Sequence, residues 1–512
     1  MGKEGGQEVL AAARKGSTAR KIKTRTALPS PSVIHPPPLA SLSQHSEGVP
    51  INLPLTPFTQ RSRHILSSAL QGWEMGAEAG AKAGALQLAP LPRWELVLHT
   101  AVILLLFTGV WVESLWASNQ LPASIRYTKQ FTESRLPLLN WPRLRDANDF
   151  EWNNFYECLP RILLMLSLSS ATFNGVLAFA ASAEDRRGKF LLAMALSGCS
   201  LICLRPEHWA LLLGQAALLF LTAKLVPNKL LIWAEALACQ LLNSWAFDIE
   251  SPGDFISFVA LQYSIFPLIS FPIQALIENA SSSKAWLDEA LDFAIYLFYG
   301  PYKFHLIMPY PLFQRRLAQR QAQRIRWPHL TAFALRILFW TWVYESLLHL
   351  VYFTPVLANI TPGEPGAQLL HSHYANSRLW LGALAFGQGM AFHLKYVVIF
   401  GLNNLFVHLD RMQPLRGPVC VARVALYSSI WRRFDRGLYL FIKHLVYLPI
   451  CRPTFSPLRK SLAGFLVFSV VFVWHQMSYH ILVWVSLSVL VLSAKGTAVH
   501  LYHTSPGYST LK

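Results

Sequence analysis

Long apolar runs constrain this chain more than any other feature. The stretch from Trp94 to Trp116 (WELVLHTAVILLLFTGVWVESLW) is long enough to cross a hydrocarbon core of about 30 Å at about 1.5 Å per residue. Apolar segments recur at Phe155 to Ala181, Phe190 to Leu204, Trp209 to Val226, Leu230 to Phe247 and Phe255 to Ile277, then at Pro328 to Val351 and Leu379 to Val407. In lipid every backbone polar group needs an internal partner, so such runs are read as helices. The prediction is an all-α polytopic membrane protein.

The charge pattern agrees with that class. Charged residues make up 14% of the 512, about half the soluble norm. A net charge of +18 would suggest a nucleic-acid partner in a soluble chain, but here Lys and Arg sit mainly between the apolar runs. The positive-inside rule explains that placement without nucleic acid. The six cysteines form no CxxC pair and fall mostly in apolar segments, so they predict neither a disulfide framework nor a zinc site. No Walker A loop, HExxH pair or serine nucleophile elbow occurs, which removes the common ATPase, zinc-protease and hydrolase readings.

Residues 1–91 differ in character. They are rich in Pro, Ser, Gly and Ala with a basic run between Arg14 and Arg25, and predict a disordered tail with weak helix near Gly72 to Leu88. After the first run the sequence reads as a polar loop up to Trp152, ending in NDFEW (Asn148 to Trp152). From Trp286 to Phe313 the helical pattern is broken by Gly300-Pro301, Pro309 and Pro311, which fits either a re-entrant or pocket-lining piece or an interfacial loop. The segment Gln314 to Arg326 carries Arg315, Arg316, Arg320, Arg324 and Arg326 without an acid. It reads as a cytosolic loop near anionic headgroups, or as a landing site for a phosphorylated cosubstrate. A second basic loop at Arg411 and Arg416 gives the same orientation for the two spans between them.

From Cys420 to His475 the pattern changes. VARVALYSSIW (421–431) is too short to cross, and WRRFDR places four charges directly before GLYLFIKHLVYLPI. The apolar pieces Leu462 to Trp474 and Ile481 to Ser493 are each short for a span, which puts His475 at a break between them or near one interface. Ionisable groups in such surroundings are costly, so Asp435 and His475 need partners or a water-filled cavity. A buried neutral imidazole can serve as a general base, and a carboxylate could orient it. Equally, His475 can be a structural histidine and WRRFD a snorkelling interfacial anchor.

Together FHLKYVVIFG (392–401), LDRMQP (409–414), WRRFDRGLYLFIKHLVYLP (431–449), FVWH (472–475) and NDFEW (148–152) resemble the membrane-bound O-acyltransferase family, in its protein-acylating branch. The resemblance implies about ten transmembrane helices with re-entrant segments around a central tunnel, over residues 92–494. It implies His475 as catalytic base with Asp435 as its acidic partner, and Trp431 and Arg432 in the acyl-donor pocket. Cys420, fifteen residues before Asp435, takes the position of a haem-iron ligand. The implied donor is palmitoyl-CoA, and the implied acceptor is the N-terminal cysteine amine of a secreted Hedgehog-type protein at the endoplasmic reticulum membrane. Burying a palmitoyl chain of about 14 methylenes is worth on the order of 10 kcal/mol, which suits a tunnel within the bilayer.

The sequence departs from the family pattern in places. Gln476 stands where this branch has Gly, and no Asn-Gly-Pro occurs near Phe304 to Pro311. Only 37 residues follow His475, and 495–512 reads as a polar tail, so the family's last two helices are expected to be missing. The alternatives are an acyltransferase of the same fold for another acceptor, such as a Wnt-type serine or a small lipid, and a non-catalytic membrane regulator.

Overall fold

The computed structural model describes residues 93–121, 130–179, 185–245, 249, 251–278, 285–358, 371–373, 378–424 and 426–504. The expected tail at 1–91 lies outside them. In chain order the elements are α1 (Arg93–Asn119), β1 (Phe131–Arg135), β2 (Pro142–Asp146), α2 (Phe150–Glu157), α3 (Leu159–Phe179), α4 (Arg186–Ser200), α5 (Pro206–Leu225), α6 (Lys229–Trp245) and α7 (Pro252–Glu278). There follow α8 (Trp286–Phe298), α9 (Tyr310–Gln319), α10 (Trp327–Leu350), α11 (Phe353–Ala358), α12 (Arg378–Leu409), α13 (Tyr427–Arg433), α14 (Arg436–Ile442), α15 (Leu448–Cys451), α16 (Pro457–Trp474) and α17 (Tyr479–Thr504).

Among the described residues seven helices, α1, α3, α5, α7, α12, α16 and α17, are long and apolar enough to cross a membrane. Their starts follow from local chemistry. Pro206 supplies a fixed φ at the first turn of α5, and Ser456 caps α16 by accepting the Arg459 N–H at 3.3 Å, with Pro457 behind it. α7 is central: 89% of its apolar window is buried in protein although Pro267 and Pro272 interrupt its hydrogen bonds. Surrounding helices make such interruptions tolerable at membrane depth.

Several expectations change. The polar loop before Trp152 contains an antiparallel hairpin, β1 paired with β2 from Phe131↔Asp146 to Arg135↔Pro142. Its strands, FTESR and PRLRD, lack the apolar alternation that would have signalled it. The last two apolar pieces are not short: α16 has 18 residues and α17 has 26, because α16 starts with a turn capped by Ser456 ahead of its apolar core and α17 runs on past Ser493. Residues 303–309, at the expected break, are irregular and wholly buried in protein, which an exposed interfacial loop would not be. Of the five arginines in the basic loop, Arg316 and Arg320 are buried instead of solvated. Arg320 donates from Nε to the Asp410 backbone oxygen at 3.0 Å and from Nη2 to Asn174 Oδ1 at 2.6 Å.

Candidate functional site

NDFEW is weak as a sequence signal but forms a junction of five elements. Asp149 caps α2 by accepting the Trp152 N–H at 3.0 Å, and its other oxygen accepts the Tyr344 hydroxyl of α10 at 2.6 Å. Glu151 accepts the Tyr396 hydroxyl of α12 at 2.9 Å and meets His305 Nε2, from the irregular segment, at 3.1 Å. Lys395 of α12 pairs with both acids, at 3.0 Å to Asp149 and 2.9 Å to Glu151. Trp152 Nε1 donates to Glu345 of α10, which also receives the Arg145 fork from β2 at 2.9 and 2.8 Å.

The Lys395 ammonium is 7% exposed and would be costly there without these acids. Burial alone would raise the Glu151 carboxyl, but Lys395 and His305 outweigh it and hold the group well below the usual carboxylate range. His305 is buried, takes a left-handed backbone with φ 57°, and its Nδ1 has no hydrogen-bond partner. The surrounding structure must hold a non-glycine residue in that conformation.

The other segments meet this junction through aromatic rings. Tyr263 of α7 lies 5.1 Å from the His305 ring and 5.2 Å from Trp474. Phe434 of the WRRFD run stacks on Phe392 at 5.6 Å and stands edge-on to Tyr396 at the same distance. NDFEW, FHLKYVVIFG, WRRFD and FVWH therefore converge. LDRMQP lies instead at the far end of α12. There buried Asp410 accepts the Tyr299 hydroxyl at 2.5 Å and Asn174 Nδ2 at 2.9 Å, and also bonds Ser170.

His475 caps the C-terminus of α16, its N–H bonded to the Val471 oxygen at 3.0 Å. Gln476 and Met477 both take positive φ and turn the chain into α17. The imidazole packs at 4.6 Å from Trp474 and 6.1 Å from Trp484. Asp435 caps α14, its Oδ1 accepting the Leu438 N–H at 2.8 Å. Burial pushes its carboxyl up to about 6, against backbone N–H groups of Leu438 and Gly437 that favour the charge. Gly437 touches the irregular segment so closely that a Cβ would sit 1.8 Å from the Ile307 carbonyl oxygen.

No hydrogen bond joins Asp435 to His475 among the described residues. The His475 ring is linked to Glu151 through ring contacts, from Trp474 to Tyr263 and from Tyr263 to His305, whose Nε2 meets Glu151. Trp431, on α13, stacks on Trp484 at 4.9 Å and meets Phe468 edge-on at 4.8 Å. Its buried indole N–H has no protein acceptor. Arg432 is exposed and donates to Ser428 of its own helix. Cys420 is half-buried at the start of a 3₁₀ turn, between exposed Gly417 and exposed Ala422 and Arg423. The haem reading rests on the sulfur of Cys420 alone, and no step below uses it.

A model of the MBOAT, membrane-bound O-acyltransferase family matches residues 206–507. The chain is 27% identical over 268 residues to the protein-cysteine N-palmitoyltransferase Rasp of Drosophila melanogaster, covering 51% of this chain and 50% of that one. It is 30% identical over 232 residues to the protein-cysteine N-palmitoyltransferase HHAT of Mus musculus, covering 44% and 43%. These matches span half or less of each relative. The family match includes Asp410, Asp435 and His475 but begins after NDFEW and the hairpin.

Proposed function

Because the chain belongs to the membrane-bound O-acyltransferase family, we propose that it is an acyltransferase that carries palmitate from palmitoyl-CoA to the N-terminal cysteine amine of a secreted Hedgehog-type protein at the endoplasmic reticulum membrane. One observation supports this most. His475 stands at the break between two spanning helices, in an aromatic wall that continues through Trp474, Tyr263 and His305 to Glu151. A base at such a position meets both an apolar chain and a polar acceptor.

In the proposed reaction the acceptor amine attacks the thioester carbonyl carbon, and His475, neutral beforehand, takes the proton that the nitrogen sheds. The carbon–sulfur bond then breaks, an amide forms, and the proton passes to the departing CoA thiolate. Asp435, fixed at the start of α14 against the irregular segment, helps position the thioester. Trp431 presents its unpartnered N–H and aromatic face to the donor, and exposed Arg432 offers a fork that suits a phosphate.

The test uses purified protein, labelled palmitoyl-CoA and a short peptide beginning with Cys, beside an amine-acetylated peptide and the His475→Ala variant. Label should enter only the free-amine peptide and only with His475 present. Transfer to the acetylated peptide would exclude N-acylation, and full transfer by His475→Ala would exclude that residue as the base.

A further inference from the structure

The hairpin between α1 and α2 carries an exposed apolar tip. Leu138 is 86% exposed, Leu139 69% and Trp141 57%, in the turn joining β1 to β2. Leu138 takes φ 67° and Asn140 φ 51°, left-handed conformations that leucine rarely adopts. Arg143 stacks over the Trp141 ring at 5.8 Å, and Arg135 holds Asn140 Oδ1 at 3.1 Å. Leucines beside a tryptophan and two arginines are the chemistry of a bilayer interface, where the rings sit at headgroup level and long basic side chains reach toward water.

The hairpin is held firmly at its base. Arg145 forks onto Glu345, Arg143 Nε donates to the His349 oxygen at 2.6 Å, and Tyr352 donates to the Leu144 oxygen at 3.0 Å. All three contacts lie at the C-terminal end of α10 or just past it. Nearer the tip, Trp342 Nε1 of α10 donates to the Pro137 oxygen at 3.4 Å. Trp342 belongs to an exposed stripe with Leu335, Leu338 and Phe339, spaced as one helical face. The opposite face of α10, carrying buried Ile337, Tyr344 and Leu348, packs on α12, so this stripe is the one turned away from the protein.

We propose that the Leu138–Trp141 tip is a membrane anchor that inserts into the leaflet at the C-terminal end of α10, continuing the exposed apolar stripe of that helix. The occupant is the lipid surface; a docked acceptor protein is the competing outcome. The inference does not depend on acyl transfer. The stripe and the tip are joined by a hydrogen bond, so the tip continues an exposed apolar surface.

The test places an encoded environment-sensitive fluorescent amino acid at position 139 of the full chain, with a control at exposed Gln323. Each is reconstituted in phosphatidylcholine nanodiscs, with plain lipid or with lipid brominated near the headgroup end of its acyl chains. Emission at 139 should be blue-shifted and lose half or more of its intensity in brominated lipid, while the control is unchanged. Equal, red-shifted emission at 139 in both lipids would overturn the proposal. So would a probe that responds only when an acceptor protein is added. Because Leu139 is mostly exposed and lies outside the core cluster, the labelled chain should melt at the wild-type temperature, and the Leu138→Glu/Leu139→Glu variant should keep its transfer rate to a short peptide.

Discussion

Replacing Lys395 with methionine tests the junction most directly, because one ammonium there serves two carboxylates. Its contacts are 3.0 and 2.9 Å, and Asp149 and Glu151 are themselves only 20% and 26% exposed. At such separations the gross attraction per pair is about 5 kcal/mol at an effective dielectric constant of about 20. Much of that offsets the loss of hydration, but Lys395→Met removes the attraction and leaves the two acids uncompensated. The expected loss is about 3–5 kcal/mol. Glu151→Gln alone should cost about 1–3 kcal/mol, since Tyr396 and His305 keep a polar partner while Lys395 keeps Asp149. In the double variant the second substitution removes one stranded charge, so the total should fall short of the sum by about 1–3 kcal/mol. Thermal midpoints of the four proteins in one detergent at one scan rate report the order. A double variant whose loss equals the sum of the single losses would refute the shared-ammonium reasoning.

Gly437→Ala should lower the melting temperature by the equivalent of about 1–3 kcal/mol or more and impair transfer, because its Cβ meets backbone instead of a yielding side chain. A variant that melts and reacts like wild type would disprove the close contact of α14 with Ile307. His475→Ala should reduce transfer by about 10²- to 10⁴-fold while leaving the melting temperature close to wild type; a matching loss of stability would point to a structural histidine. The pH response follows from the lowered Glu151 carboxyl. Its contribution to stability is present above the ordinary glutamate value of about 4.3 and is lost only as pH falls through the depressed one. The melting difference between wild type and Glu151→Gln should therefore be equal at pH 7 and pH 5, and a difference that shrinks by pH 5 would contradict it.

The spanning helices were legible because hydropathy is a local property. His475 was legible as a break because apolar sequence ends on both sides of it. The junction was not legible: Glu151 and Tyr396 are 245 positions apart, and nothing near either residue names the other. FHLKY did carry a signal in Lys395, a cation inside a span, which called for a buried acid as partner. The same logic applied to LDRMQP would have placed Asp410 among donors. His305 was announced only indirectly, by the glycine and prolines that break the helix around it. The pairing of Asp435 with His475 came from the resemblance. In the structure Asp435 caps α14, and a chain of aromatic rings leads from the imidazole to the partner of Glu151.

Helix α12 is gripped twice, by the acids of NDFEW at Lys395 and by Ser170, Asn174 and Tyr299 at Asp410. The fifteen steps from Lys395 to Asp410, just past the helix end, rise about 22 Å, and each residue turns about the axis by about 100°. The helix is thus a keyed shaft. Inserting or deleting one residue anywhere between the keys would swing one out of its slot while the other stayed seated. Along that length the residue count is constrained as tightly as the buried side chains, Ile399, Phe400 and Val407 among them.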